Sequence, residues 1–223
     1  MTNALTRTLL PAYAPCPHFC GACWEMRWSP VDGHVPRGVC GATGQLSEVE
    51  LVLVTAEPGD PLEGETHSNL QSAMQFSVNC LSDPPTAFHK NIRLILALCF
   101  PDASFEEQLR RTWRTNSVLC SAKVEGGRVP RAVEKTCIRH YLSRQLALLP
   151  QALVAALGRK AQRRLASEGI RAFPAVHPSS RKSSDEKRES WEALARELHK
   201  RRTARHGRPN RILPADTHKD ACG

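Results

Sequence analysis

Four kinds of side chain in this chain have the type and spacing to do chemistry, and the thiols come first. Thr115-Asn116-Ser117-Val118-Leu119-Cys120 reads as a hydrophobic strand with a thiol at its end, and Cys137 follows beyond a basic Gly/Pro-containing loop at 123–131. That loop can fold the two thiols back together, while Cys20-Gly-Ala-Cys23 places two more on a single turn. Four soft donors of this kind suit an iron–sulfur cluster, which ties distant segments into one small domain. Cys16-Pro-His-Phe-Cys20 adds a further thiol, so a zinc knuckle from Cys16, Cys20, Cys23 and Cys40 is the competing metal site. Cys80, Cys99 and Cys222 have no assigned role, and buried or incidental thiols are their ordinary reading. Beside the thiols stand a carboxylate on a strand-to-loop turn, Glu57-Pro58-Gly59, and an imidazole before a rigid proline, His177-Pro178-Ser179. Asn116 offers a donor and an acceptor from a strand, where Asn is otherwise disfavoured.

The elements that position these residues alternate between strand and helix character. Residues 49–55 (Val-Glu-Leu-Val-Leu-Val-Thr) form an apolar β-branched run that ends at Ala56-Glu57-Pro58-Gly59. The polar stretch 60–85 reads as a loop, long for a compact domain and therefore a functional insertion. Helices are predicted over 88–99 and 105–113, a strand over 116–121, and a helix over 132–148 with Val133, Cys137, Ile138, Tyr141 and Leu142 on one face. A strand at 152–157 breaks at Gly158, a basic helix covers 159–167, and a short strand at 171–176 delivers His177. Trp191, Leu194 and Leu198 mark a last amphipathic helix at 190–200, after a polar linker at 181–185. The pattern predicts an α/β fold: a single domain with a central, mostly parallel sheet flanked by helices. Residues 1–46, rich in Pro, Gly, Cys and Trp, form a cysteine-rich N-terminal lobe packed on a core at 47–199. Residues 200–223 form a basic, disordered tail, with six Lys or Arg and no acid between 200 and 211.

Composition narrows the partner. The 223 residues carry a formal net charge of +9, which favours an acidic partner, with nucleic acid first. No stretch approaches the roughly 18 apolar residues of a membrane span, and no apolar run of signal-peptide length opens the chain. A cytoplasmic protein is expected, where thiols serve as metal ligands or buried residues more often than as disulfides.

The order of these motifs resembles the uracil-DNA glycosylase superfamily, and most of all its iron–sulfur branch, family 4, with the related family 5. The resemblance covers residues 20–191. It is strongest in Thr-Asn-Ser-Val-Leu-Cys120, Leu149-Pro150 through Leu157-Gly158, and Val176-His177-Pro178-Ser179. The family's first motif is typically Gly-Glu-Ala-Pro-Gly, whereas this chain has Thr55-Ala56-Glu57-Pro58-Gly59. Thr55 thus replaces a Gly, and the carboxylate is shifted by one residue. The usual aromatic-pocket motif is not recognisable between this turn and Phe88.

The resemblance implies a monofunctional DNA glycosylase that hydrolyses the N-glycosidic bond of uracil or another deaminated base, initiating base-excision repair. It implies a monomer acting on single- or double-stranded DNA, with no membrane partner. By that implication Cys20, Cys23, Cys120 and Cys137 hold a [4Fe–4S] cluster. Glu57 orients or deprotonates water and favours the sugar cation, and His177 donates to the base carbonyl as charge develops. Asn116 complements the base edge, Phe88 stacks on the extruded base, and Pro58 and Gly59 line the pocket. Ser179, with Ser180, Arg181 and Lys182, suits phosphate contacts. The alternative from another class is a non-catalytic, metal-stabilised nucleic-acid-binding or interaction protein with a glycosylase-like fold, favoured by the displaced Glu57.

Overall fold

The computed structural model describes residues 4–206. Its centre is a five-stranded sheet in the order β1-β3-β2-β4-β5, formed by β1 (Cys40–Gly41), β2 (Leu51–Thr55), β3 (Thr112–Asn116), β4 (Leu153–Leu157) and β5 (Phe173–Ala175). All neighbours are parallel except β1, which pairs antiparallel with β3. All five residues of β2 are buried, as expected of a parallel strand covered on both faces. Alternation sends Val52 and Val54 to one core and Leu51 and Leu53 to the other.

The first core receives α1 (Ala4–Leu9), α5 (Arg131–Cys137) and α7 (Arg159–Ser167) through Leu5, Leu9, Val133, Ala161 and Leu165. The second receives α3 (Ala87–Cys99) through Ile92, Ile95 and Leu96, and α8 (Ser184–His206) through Trp191, Leu194 and Leu198. The segment after β2 therefore crosses on one face and the helix after β4 on the other. In open α/β sheets this reversal leaves a crevice outside the carboxyl ends of the strands.

Several elements differ from the sequence expectation. The polar stretch 60–85 contains a helix, α2 (Leu70–Ser82), capped by Asn69, whose side chain accepts from Ser72 N at 2.9 Å. Its buried positions are Leu70, Ala73, Ser77, Cys80 and Leu81, a helical spacing built mostly from small or polar residues. The helix α4 (Phe105–Arg111) stops short of Trp113, and β3 occupies 112–116 rather than 116–121, so Asn116 closes the strand instead of opening it. The helix expected over 132–148 is present as α5, a π turn over Ile138–Leu142, and α6 (Ser143–Ala147). The boundary drawn at 200 falls inside α8, which carries Lys200 through His206 as helix. There Arg201 pairs with Glu197 at 2.9 Å and Arg202 with Glu50 at 3.2 Å. The rest of the basic tail, with Cys222, lies outside the described residues. No helix among the described residues is long and apolar enough to cross a membrane.

Candidate active site

One cavity of about 690 Å³ opens at the carboxyl edge of the sheet. Glu57, Pro58, Gly59, Phe88, Asn116, His177 and Ser179 all line it, whereas Ser180, Arg181 and Lys182, expected to touch phosphate, lie outside it. They come from the ends of three strands and from α3. Glu57 follows β2, Asn116 ends β3 and His177 follows β5, while Gly158 and Lys160 add the end of β4.

His177 is fixed from two sides. The backbone of the preceding residue is pinned to α8, because Trp191 Nε1 donates to Val176 O at 2.9 Å and Val176 N donates to Ser190 Oγ at 2.9 Å. Its ring packs 5.7 Å from that of Phe88. Gly158, at φ +89°, lies so close that a Cβ there would approach His177 Cβ to 2.8 Å, so only glycine fits. Ser179 N donates to His177 Nδ1 at 3.1 Å, which puts the proton of the neutral ring on Nε2. Burial lowers the pKa of this imidazole; the nearby Glu57 opposes the shift, while Arg114 and Lys160 add to it.

Glu57 is more tightly held than a free base. Lys160 Nζ donates to its Oε1 at 2.7 Å and also to the carbonyls of Gly126 and Gly127. Arg164 Nη1 lies 2.5 Å from Oε2 as an ion pair without hydrogen-bond alignment. The turn after β2 is clamped further by Arg37, which donates to Gly59 O and Gly33 O, and by Ser121 Oγ, which donates to Gly59 O at 3.2 Å.

Asn116 is also engaged. Its Nδ2 donates to Arg37 O at 2.8 Å, and its Oδ1 accepts from Thr55 Oγ1. Thr55 is the residue that stands in place of the resembled motif's Gly, and its hydroxyl reaches the site. The carboxamide is therefore oriented by the protein, with one N–H and one lone pair left for a ligand. Phe88 carries Arg114 over its ring at 5.0 Å, a contact that competes with base stacking. Sequence reasoning missed Arg37, Arg114, Lys160 and Arg164. The visible signals were an Arg inside the β3 run and two cations one helical turn apart after Gly158.

The thiols gather elsewhere. Cys16, Cys23, Cys120 and Cys137 line a small cavity on the first-core side with His18, Met26 and Tyr141. Leu119 N donates to Cys137 Sγ at 3.2 Å, and the π turn begins at the next residue. Cys20, expected as a ligand, is exposed and outside this group, and Cys16 takes its place. The zinc knuckle fails as well, because Cys40 sits in the second core, across the sheet. Among the described residues no three His, Cys, Asp or Glu side chains converge closely enough for one metal ion.

The family profile for the uracil DNA glycosylase superfamily matches residues 43–196. The chain belongs to this superfamily. No curated protein matches it. The superfamily's match runs from before β2 to residue 196 within α8, and hence covers every residue of the large cavity except Arg37 and Gly38.

Three histidines at or near this edge are shifted downward by burial: His34, His177, and His89, whose pKa falls to about 4. The folded state keeps them neutral where the unfolded chain, with a histidine pKa of about 6.5, binds protons. Their contribution to stability is complete above that value and is lost as pH falls toward the folded values. The urea midpoint should therefore be lower at pH 5 than at pH 7, with the His89 ring titrating near 4 by NMR. An unchanged midpoint with ordinary histidine titrations would contradict this packing.

Proposed function

We propose that the chain is a monofunctional DNA glycosylase that removes uracil or another deaminated base by hydrolysis and so initiates base-excision repair. The observation that supports this best is the neutral, Nε2-protonated His177 lining a cavity shared with Asn116 and Glu57. In the reaction the C1′–N bond breaks and its electron pair leaves with the base. Water bonds to C1′ and gives up a proton, and the base nitrogen gains one. The leaving base gathers negative charge, and His177 Nε2–H stabilises it. Asn116, preset by Thr55 and Arg37, holds the base edge after the nucleotide has left the stack. Glu57 has an ion-pair partner on each oxygen, so it acts by orienting water and offering charge to the sugar cation rather than as a strong base.

The same ion pairs favour a second reading, a DNA-binding protein whose carboxylate is wholly structural. Single-turnover excision from a uracil-containing oligonucleotide separates the two. His177→Ala should lower the rate by roughly 10²–10³-fold with DNA affinity nearly intact, the effect expected of one lost transition-state donor of about 3–4 kcal/mol. Glu57→Gln should cost less in rate but also lower the unfolding midpoint, since the buried Arg164 loses one of its two carboxylate partners and keeps only Glu134. Equal rates for wild type and His177→Ala would remove His177 from the reaction.

Cys16, Cys23, Cys120 and Cys137 fit an iron–sulfur cluster as an all-thiol, largely apolar donor set with a backbone N–H directed at one sulfur. Bound there, such a cluster would hold the segment carrying Cys16 and Cys23 to those carrying Cys120 and Cys137. Anaerobically purified protein should be brown, and Cys16→Ala should bleach it while Cys20→Ala leaves the colour. Bleaching by Cys20→Ala alone would return Cys20 to the ligand set.

A further inference from the structure

Arg114 is the residue the reaction described above does not use. It lies in the middle of β3, 5% exposed, on the face of the strand that also bears Leu53's neighbours in the second core. A strand buried on both faces ordinarily carries apolar residues there, and a buried guanidinium is strongly disfavoured unless paired. Among the described residues no carboxylate forms an ion pair with Arg114. Of the buried acids around the cavity, Glu57 is taken by Lys160 and Arg164, and Glu65 by Arg37 and His67. Its Nε and Nη1 have no hydrogen-bond partner. What surrounds the group is the Phe88 ring at 5.0 Å and the Cys40 thiol, a weak acceptor that burial keeps protonated. Arg114 nevertheless lines the same cavity as Asn116, two positions along the strand on the same face, and His177.

A cation whose Nε and Nη1 find no partner, buried in the wall of this cavity, is a built counter-charge for a negative group. We infer that Arg114 makes this a pocket for bases that carry negative charge at neutral pH, in preference to neutral uracil. The inference rests on the glycosylase reading for its catalytic consequence. Such a charge comes from an exocyclic carboxylate, as in 5-carboxyuracil, or from ring ionisation, as in xanthine. Either base is a poorer leaving group than its neutral counterpart, since it departs with a second unit of charge, and a guanidinium beside it offsets that penalty. Asn116 and the neutral His177 offer these bases no charge, and Lys160 and Arg37 are paired with Glu57 and Glu65, so Arg114 is the buried cation left to tell them apart.

The test compares kcat/KM for 5-carboxyuracil against uracil, and for xanthine against hypoxanthine, in otherwise identical oligonucleotides. Wild type should favour the charged member of at least one pair. Arg114→Met should reduce that preference by roughly 10²–10³-fold, the upper figure being the scale of one ion-pair contact at about 4 Å in a partly shielded site, and Arg114→Lys should restore part of it. A preference for xanthine that climbs with pH assigns the charge to the ionised ring, whereas a pH-independent preference for 5-carboxyuracil assigns it to the carboxylate. Equilibrium binding of the free bases to wild-type protein is read in parallel and needs neither turnover nor a folded variant. Tighter binding of 5-carboxyuracil or xanthine than of uracil, with no excision of any base, would keep the anion pocket and overturn the glycosylase reading. Excision and binding that treat charged and neutral bases alike in wild type would overturn the inference and leave the glycosylase reading standing.

Discussion

The buried guanidinium of Arg164 is the contact on which the rest of the arrangement depends. It is fully buried on α7, in ion-pair contact with Glu57 and bonded through Nε to Glu134 at 2.8 Å, while Nη1 donates to Ser117 Oγ at 3.2 Å. These partners belong to the turn after β2, to α5 and to the segment just beyond β3. An ion in such a place is tolerated only with its partners complete, so α7 holds all three segments in one register. Arg163 closes the network on Glu134 at 2.5 Å, and Lys160 closes it on Glu57. The same segments carry Cys137 and Cys120, so the thiol group on one side and the large cavity on the other share a single electrostatic anchor.

Chain topology converts that anchor into a site. Helices leave β2 and β4 on opposite faces, and the crevice between their carboxyl ends receives residues from four strand ends without any of them being near in sequence. The N-terminal segment completes the wall, because Arg37 reaches Gly59 and Glu65 and its carbonyl orients Asn116. A segment with little regular structure thus affects the geometry of a pocket that lies mostly outside it, and whatever holds Cys16 and Cys23 to Cys120 and Cys137 supports the pocket as well.

Much of this was legible in the sequence where the signal is local. The β-branched run ending at Glu57, Gly158 before a basic helix, and the face of Trp191, Leu194 and Leu198 each depend on neighbours a few residues away, and each appears where expected. Helix α2 escaped because its buried face uses Ala73, Ser77 and Cys80, too small or polar to register as apolar, although the Asn69–Ser72 capping box was present. The strand β3 was displaced because Thr112, Arg114 and Asn116 look like a surface, whereas the sheet buries them. Cys20 was preferred over Cys16 because Cys-x-x-Cys is a sequence spacing. Which thiol turns inward is set by the backbone bonds of 16–23, where Phe19 N donates to Cys16 O and Cys23 N to His18 O. Ion pairs such as Glu57 with Arg164 join residues far apart along the chain, and no single sequence announces them.

The central claim is that the cavity between Glu57, Asn116 and His177 breaks the bond between a base and its deoxyribose. Mass spectrometry of the free base from single- and double-stranded oligonucleotides carrying deaminated or charged bases, incubated with the wild-type protein, tests it most directly. The account predicts release of an intact base and an unbroken strand that is cut only on later treatment with alkali. Protein that binds these oligonucleotides yet liberates no base from any of them would contradict it.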